Sequence, residues 1–466
     1  MPQYLVRLAQ THESFRKAEL EALAELAGID IKFDFYDEDS PFCILALPSP
    51  SSAATLIHRS ILSLSIHELW ARGTDYPSLH ASNHLSSSTF WPPHTTSSFR
   101  FTLDSYRGSR PSATQRTLID SFAYMPLTGR IKMSNPELSL TIFEDFATGA
   151  TAPRALYLGR LLALSGRAAK TTYDLKKRAY ISTTSMDAEL ALVTANMALA
   201  APGKLFYDPF SGTGGFMVAG AHFGASVWGS DIDGRSIRGK GGKAKRDVVS
   251  NMVQYGLMSR YLDGFVADLT NSPIRGARGP GEDAARGGWL DGIMCDPPYG
   301  VREGLKVLGL KRDPGENGER LACVDRYMEE GYIPPKRPYS FEAMLEDILQ
   351  FAAVMLVVGG RLSMWMPTAN EEGEDGEGQK EIGIPMHPAL GLVSVCVQPF
   401  NKWSRRLLTY RRLSSDEISP EALSAMASRK KRVHGNGENA DDLNDFRRKY
   451  FQGFKEPEAE HTADRQ

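Results

Sequence analysis

Leu205-Phe206-Tyr207-Asp208-Pro209-Phe210-Ser211-Gly212-Thr213-Gly214-Gly215-Phe216 is the stretch on which the fold turns. A short apolar run ends on an acid, crosses a loop with three glycines and continues into Phe216-Met217-Val218-Ala219-Gly220-Ala221. This reads as strand, tight turn and helix, the first βα unit of a doubly wound sheet whose ligands sit at the carboxyl ends of strands. Gly212 and Gly214 permit positive φ and close approach of a ligand to the backbone. A Gly-rich turn also serves as a plain connection, so its weight depends on the strands downstream of it.

Val227-Trp228-Gly229-Ser230-Asp231-Ile232-Asp233 reads as a second strand ending in acid. It lies at the roughly 20-residue spacing at which a carboxylate meets ribose hydroxyls. Phe265-Val266-Ala267-Asp268 is a third such run, and Asp291-Gly292-Ile293-Met294-Cys295-Asp296-Pro297-Pro298-Tyr299 a fourth. Four successive strands thus bring Asp208, Asp231, Asp268 and Asp296 to one edge of one sheet. The chain has no Gly-Lys-[Ser/Thr] for a triphosphate and no spaced GxGxxG for a pyrophosphate. A cofactor with an adenosine but no phosphate chain fits, and S-adenosylmethionine meets that description.

Asp296-Pro297-Pro298-Tyr299 carries a specific chemistry. An amino nitrogen conjugated to a base is a poor nucleophile because its lone pair is delocalised into the ring. Asp296 and the Pro297 carbonyl can accept its two N–H groups and favour the pyramidal nitrogen of the transition state. Pro297 and Pro298 stiffen the backbone that aims these acceptors, and Tyr299 offers a face for an extruded base. In order and type the motifs resemble the Rossmann-like methyltransferases of exocyclic amino groups of nucleobases. The motif reports an amino group and not its ring, so adenine N6 and a ribosomal guanine N2 stay open. A non-catalytic RNA-binding scaffold stays open too, because fold alone does not fix function. A small-molecule amino methyltransferase would have no use for the N-terminal extension.

At 466 residues the chain suggests about two to four domains. Its 42% apolar and 24% charged content are ordinary for globular proteins. A net charge of −2 confines any nucleic-acid surface to a local patch. Cys43, Cys295, Cys323 and Cys396 form no CxxC pair, which argues against an intrinsic metal site or a disulfide framework. With no signal peptide and no apolar run of about 18 residues, a soluble cytoplasmic protein without membrane contact is expected.

Ahead of the sheet, alternating strand and helix patterns suggest a small α+β domain over 1–75, with a Ser/His/Pro-rich linker at 77–98. A second α+β domain comes next over 76–168, with strands at 99–103, 138–145 and 155–164 and a helix at 114–122. In this position it resembles a THUMP domain, which implies docking of tRNA. The expected fold class is therefore α/β: a Rossmann-like seven-stranded S-adenosylmethionine-dependent methyltransferase domain over 169–415, preceded by small α+β and THUMP-like domains. Residues 416–466 read as a charged, mostly unfolded tail, and 276–288 as a disordered Gly/Ala/Arg insertion.

The set Arg178-x-Tyr180, Thr184-Ser185-Met186, Asp208-Pro209-Phe210-x-Gly212-Thr213-Gly214, Ser230-Asp231-Ile232-Asp233, Asp296-Pro297-Pro298-Tyr299 and Asn401-Lys402-Trp403-Ser404-Arg405-Arg406 is narrower. It resembles the catalytic subunits of eukaryotic tRNA guanosine N2-methyltransferases acting at position 10. The resemblance implies S-adenosylmethionine as donor, tRNA as substrate and a small zinc-binding activator subunit as partner. It places Thr184, Ser185 and Met186 over the methionine end of the cofactor. The expected cofactor set is completed by Asp208, Phe210, Gly212, Gly214, Asp231, Ile232 and Asp268, with Asp231 on the ribose and Asp268 on the adenine amino group. Arg100, Lys176, Lys177, Arg178, Arg238, Lys240, Arg302, Trp403, Arg405 and Arg406 are the expected RNA contacts, as cations or aromatics near the acceptor edge.

Overall fold

A computed structural model describes residues 1–239, 246–276, 288–301, 305–309, 335–369, 383–401 and 403–428. Expectations for Lys240, Arg302, the interior of the 276–288 insertion and residues 429–466 lie outside them. The chain divides into two compact units, Met1–Thr172 and Tyr173–Gln466.

The first unit contains β1 (Gln3–Leu8), α1 (Arg16–Ala27), β2 (Lys32–Phe35), β3 (Phe42–Ala46), α2 (Pro50–Ile57), β4 (Ser63–Gly73), α3 (Tyr76–Leu85) and α4 (Ser87–Phe90). It continues through β5 (Phe99–Tyr106), α5 (Ser112–Asp120), β6 (Leu138–Asp145), β7 (Ala155–Leu164) and α6 (Ala168–Thr172). Its strands form one sheet in the order β2-β3-β1-β4-β7-β6-β5. The boundary expected near residue 75 does not separate one sheet from another. β4 pairs with β1 on one side and β7 on the other, so strands from 1–75 and 76–168 share one hydrogen-bonded layer.

The linker expected at 77–98 is also corrected, because much of it is helical. Asp75 caps α3 by accepting from the Ser78 amide at 2.8 Å, Ser78 Oγ returns the capping box, and Pro77 sits in the first turn. Leu79 and Asn83, one turn apart, are buried. Phe90 stacks on Trp70 with centroids 5.5 Å apart. Caps and a buried stripe outweigh a loop-like composition here.

The second unit begins with α7 (Ala188–Met197), β8 (Leu205–Asp208), α8 (Gly215–His222), β9 (Ser226–Asp231), α9 (Gly234–Arg238), α10 (Val248–Gln254), β10 (Tyr261–Val266) and β11 (Leu290–Cys295). It ends with β12 (Lys306–Leu308), β13 (Lys336–Pro338), α11 (Phe341–Met355), β14 (Leu356–Ala369), β15 (Leu390–Pro399), β16 (Trp403–Arg412) and α12 (Pro420–Ser428). The last of these lies in the tail expected to be unfolded.

Among the described residues seven strands form the sheet β10-β9-β8-β11-β14-β16-β15. The first five run parallel, while β16 is antiparallel to both β14 and β15. Each parallel connection needs a crossover; α8 lies in that between β8 and β9, α9 and α10 in that between β9 and β10, and α11 in that between β11 and β14. α11 buries Phe341, Met344, Leu345, Ile348, Leu349 and Ala352, and these pack in one core with Ile293, Leu362 and Leu408 of the sheet. Strand order reverses between β8 and β11, so the crevice of a doubly wound sheet opens beside Asp208 and Asp296.

Candidate active site

β8 ends at Asp208, only 2% exposed, whose carboxylate accepts the Phe210 amide at 3.0 Å. Burial pushes its carboxyl well above the usual range; the Phe210 amide opposes this and the charges of Asp231 and Asp296 add to it. At the end of β9, Asp231 accepts the Gly212 amide at 2.9 Å and the Asp233 amide at 2.8 Å, tying the glycine loop to the neighbouring strand. Burial raises its carboxyl as well, against those two amides.

Gly212 and Gly214 both have positive φ, 49° and 82°. A Cβ on Gly214 would also come within 2.9 Å of Val248, whereas one on Gly212 would meet nothing closer than the Phe210 carbonyl at 3.9 Å. Gly214 therefore answers to packing as well as conformation, and Gly212 leaves open space at the loop. Asp268 is buried just beyond β10; its two oxygens accept the Thr270 and Leu308 amides at 3.0 and 2.7 Å. Each oxygen keeps one lone pair for a ligand.

Ser185 Oγ meets Thr213 Oγ1 of the glycine loop at 2.8 Å, Met186 is buried and Thr184 is exposed. Asp187 caps α7 by accepting the Glu189 amide at 2.8 Å. Phe210 and Ile232 are half-buried.

Asp296 follows β11. Its Oδ1 accepts the Tyr299 hydroxyl at 2.5 Å, and Arg405 donates to the same hydroxyl. Burial raises the Asp296 carboxyl, and the Tyr299 hydrogen bond and the Arg405 charge hold it down. Pro297 is buried and Pro298 exposed. Trp403 stands edge-on to Tyr299 at 6.2 Å and stacks on Phe400 at 4.5 Å. The Arg405 guanidinium lies over Trp365 at 4.7 Å and Phe400 at 5.7 Å, with Nε donating to Gln398. Acid, hydroxyl and aromatic faces therefore meet at the carboxyl end of β11.

The expected RNA cations divide differently. Lys176, Lys177 and Arg238 are exposed and Arg406 half-buried. Arg100, in the first unit, donates to the Met133 carbonyl and Ser139. Arg405 serves Tyr299 and Gln398 as above, and Arg178 is buried.

Sequence reading missed Asn251. It lies on the buried face of α10, donates to the Thr213 carbonyl at 3.1 Å and the Tyr180 carbonyl at 2.9 Å, and accepts the Tyr180 amide at 2.9 Å. It also missed Lys336, which donates to the Ile232 carbonyl at 3.2 Å. A polar residue between buried Val248 and Met252, behind an Asp247/Ser250 capping box, was the available signal for Asn251.

Residues 2–167 match the family described as Tmrp11 THUMP N-terminal domain, and residues 176–308 the RMKL-like methyltransferase domain. Fold and site thus define a Rossmann-like methyltransferase with a THUMP-related N-terminal unit. The tRNA (guanine(10)-N(2))-methyltransferase of Saccharomyces cerevisiae is 42% identical over 424 residues, 88% of this chain and 93% of its own. That of Schizosaccharomyces pombe is 37% identical over 452 residues, 89% and 90% of the two chains. The Homo sapiens protein of that name is 31% identical, covering 97% and 95%. The chain belongs to the tRNA (guanine(10)-N(2))-methyltransferase family.

Proposed function

We propose that this chain methylates N2 of guanosine 10 in tRNA with S-adenosylmethionine as donor, acting in the cytoplasm. The observation that carries this is the meeting of Asp296, Tyr299 and Trp403 at the end of β11 beside the Asp208–Gly214 loop at the switch point. The residues fit the cofactor: an open Gly212, an Asp231 fixed by two amides, and a buried Ser211 hydroxyl without a partner. Asp208, Phe210, Gly212, Gly214 and Ile232 would shape its pocket, Asp231 would take the ribose and Asp268 the adenine amino group. Thr184, Ser185 and Met186 would border its methionine end. When bound, it supplies a methyl group on a positively charged sulfur.

The remaining work falls to the chain. Asp296 and the Pro297 carbonyl accept the two N–H groups of the target amine, which localises its lone pair toward the donor. Tyr299 gives up Asp296 Oδ1 as the base enters and stacks against it, with Trp403 as the adjoining wall. Asp296 is the base closest to the proton that the methylated nitrogen sheds. Residues 1–172 serve as the tRNA-docking unit, with Lys176, Lys177, Arg238 and Arg406 as further phosphate contacts of the second unit. A small zinc-binding subunit would cover the exposed apolar side chains on α10, on β10 and between them, namely Val249, Val253, Met258, Leu262 and Val266.

Radiolabelled S-adenosylmethionine with unmodified tRNA, with and without the zinc-binding subunit, tests the reading after digestion to nucleosides. Label in N2-methylguanosine is expected, and its loss when guanosine 10 of the tRNA is replaced would assign it to position 10. Label in N6-methyladenosine would keep the chemistry and overturn the substrate. Asp296→Ala should lower turnover by roughly 1000-fold while cofactor binding persists; near-normal turnover would remove Asp296 from the mechanism.

A further inference from the structure

A buried guanidinium needs acceptors, because an unpaired N–H in the interior loses its water for nothing. Arg178 is 6% exposed. Its Nη2 donates to the Tyr173 carbonyl at 3.3 Å, but its Nε and Nη1 have no partner. Among the described residues no carboxylate pairs with it.

Nor is Arg178 free to leave. Gln254 of α10 donates to the Lys177 carbonyl at 2.7 Å and accepts the Ala179 amide at 2.8 Å. Asn251 grips Tyr180 from both sides and holds the Thr213 carbonyl as well. The residues flanking Arg178 are thereby pinned to the helix that also holds the glycine loop.

The unpartnered Nη1 faces the start of α8. It lies 3.8 Å from where a Cβ would stand on Gly215, with the Met186 Cβ 3.9 Å from the same point. α8 begins after Gly214 in the left-handed region and has no side-chain cap. The helix start contributes partial positive charge and the guanidinium a full one, so the spot suits an anion.

We propose that Arg178 binds the carboxylate at the methionine end of S-adenosylmethionine, and is a cofactor-binding residue rather than an RNA contact. This rests on the cofactor reading above. Among the cofactor's groups only that carboxylate is anionic, and Ser185 and Met186, expected over the methionine end, border the same space. A guanidinium held in advance would accept the carboxylate without reorganising.

Calorimetry on the full chain separates the possibilities, using S-adenosylhomocysteine and 5′-methylthioadenosine, which lacks the amino-acid end. Wild type should prefer S-adenosylhomocysteine. Arg178→Met should weaken it by roughly 10- to 100-fold, while leaving 5′-methylthioadenosine and cofactor-free tRNA binding within about twofold. Arg178→Lys, which keeps the charge but loses the planar fork, should fall between. Equal weakening of both nucleosides, unchanged affinity for S-adenosylhomocysteine, or loss of tRNA affinity alone would each overturn the assignment. If Arg178→Met does not fold, the lysine variant decides by the same ratio of affinities. Wild type binding neither nucleoside would instead overturn the cofactor reading itself.

Discussion

Asp296 and Tyr299 share one hydrogen bond with which the proposed reaction competes. Oδ1 of Asp296 accepts the Tyr299 hydroxyl, and in the proposed mechanism the target amine uses the same carboxylate as acceptor. The bond has a second effect, since it opposes the rise in the Asp296 carboxyl caused by burial. With the ionised carboxylate as the proposed active form, activity should fall as pH drops through its raised folded value, above the ordinary value of about 3.9. Tyr299→Phe keeps the ring but removes the hydroxyl, so the acid limb of kcat/KM against pH should move further upward. An unmoved limb would show that Asp296 ionisation does not govern the reaction. Asp208 gives the matching stability test. Its folded carboxyl is raised by burial, so the folded state loses stability as pH rises above the unfolded value and the loss levels off above the folded one. Asp208→Asn keeps an oxygen for the Phe210 amide and removes the charge. It should melt at a higher temperature than wild type at pH 7.5, by an amount that disappears below about pH 4. An increment independent of pH would refute that account.

Among the elements, legibility followed the physics that each one obeys. β8, β9 and β11 were readable because a buried parallel strand is a short apolar run, and their acidic ends were visible as residues that such a run would not otherwise carry. β14, β16 and β15 were legible as apolar runs as well, although β16 pairs antiparallel with both neighbours and β15 leaves Leu392, Val393 and Val395 exposed. α3 was hidden by Ser, His and Pro, since its cap and its Leu79/Asn83 stripe act through position rather than composition. The unity of the first sheet was hidden because the β4–β7 pairing joins residues about ninety apart in sequence, and no local pattern encodes it. The acids of the site were legible one by one. The hydrogen bonds joining Asp268 to Leu308, Asp296 to Tyr299 and the glycine loop to Asn251 were not, because they arise only when separate elements meet. α10 shows what such a contact is worth. Asn251→Ala would leave the Tyr180 amide and carbonyl and the Thr213 carbonyl without their partner, at a cost of roughly 2–3 kcal/mol. It should also weaken cofactor binding, and Asn251→Asp should cost at least as much, because it keeps the acceptor for the Tyr180 amide but sets a carboxylate oxygen against the Tyr180 and Thr213 carbonyls in a buried site. Chemical denaturation and calorimetry on the same samples check both. An alanine variant as stable as wild type would mean that α10 does not hold the loop.

For the molecule as a whole, the edge of the second sheet bears on stability as well as on partners. Among the described residues β10 ends the sheet, and an open strand edge is a template for another chain unless it is covered or charged. Here it carries Leu262 at 57% and Val266 at 50% exposure, and nearby α10 leaves Val253 61% exposed. Such a surface costs little in a complex and invites aggregation in isolation. A subunit that binds the folded state alone stabilises it by mass action, about 2.7 kcal/mol when present at one hundred times its dissociation constant. Titrating the zinc-binding subunit into the full chain should therefore raise the melting temperature with concentration. Val253→Lys with Leu262→Lys places two charges on the surface but outside the pocket. That variant should melt within about 2 °C of wild type when alone, and show no rise on titration. A variant that still gains stability would place the partner on another face. A wild-type chain whose melting does not respond would remove the subunit from the proposal while leaving the site at β8 and β11 untouched.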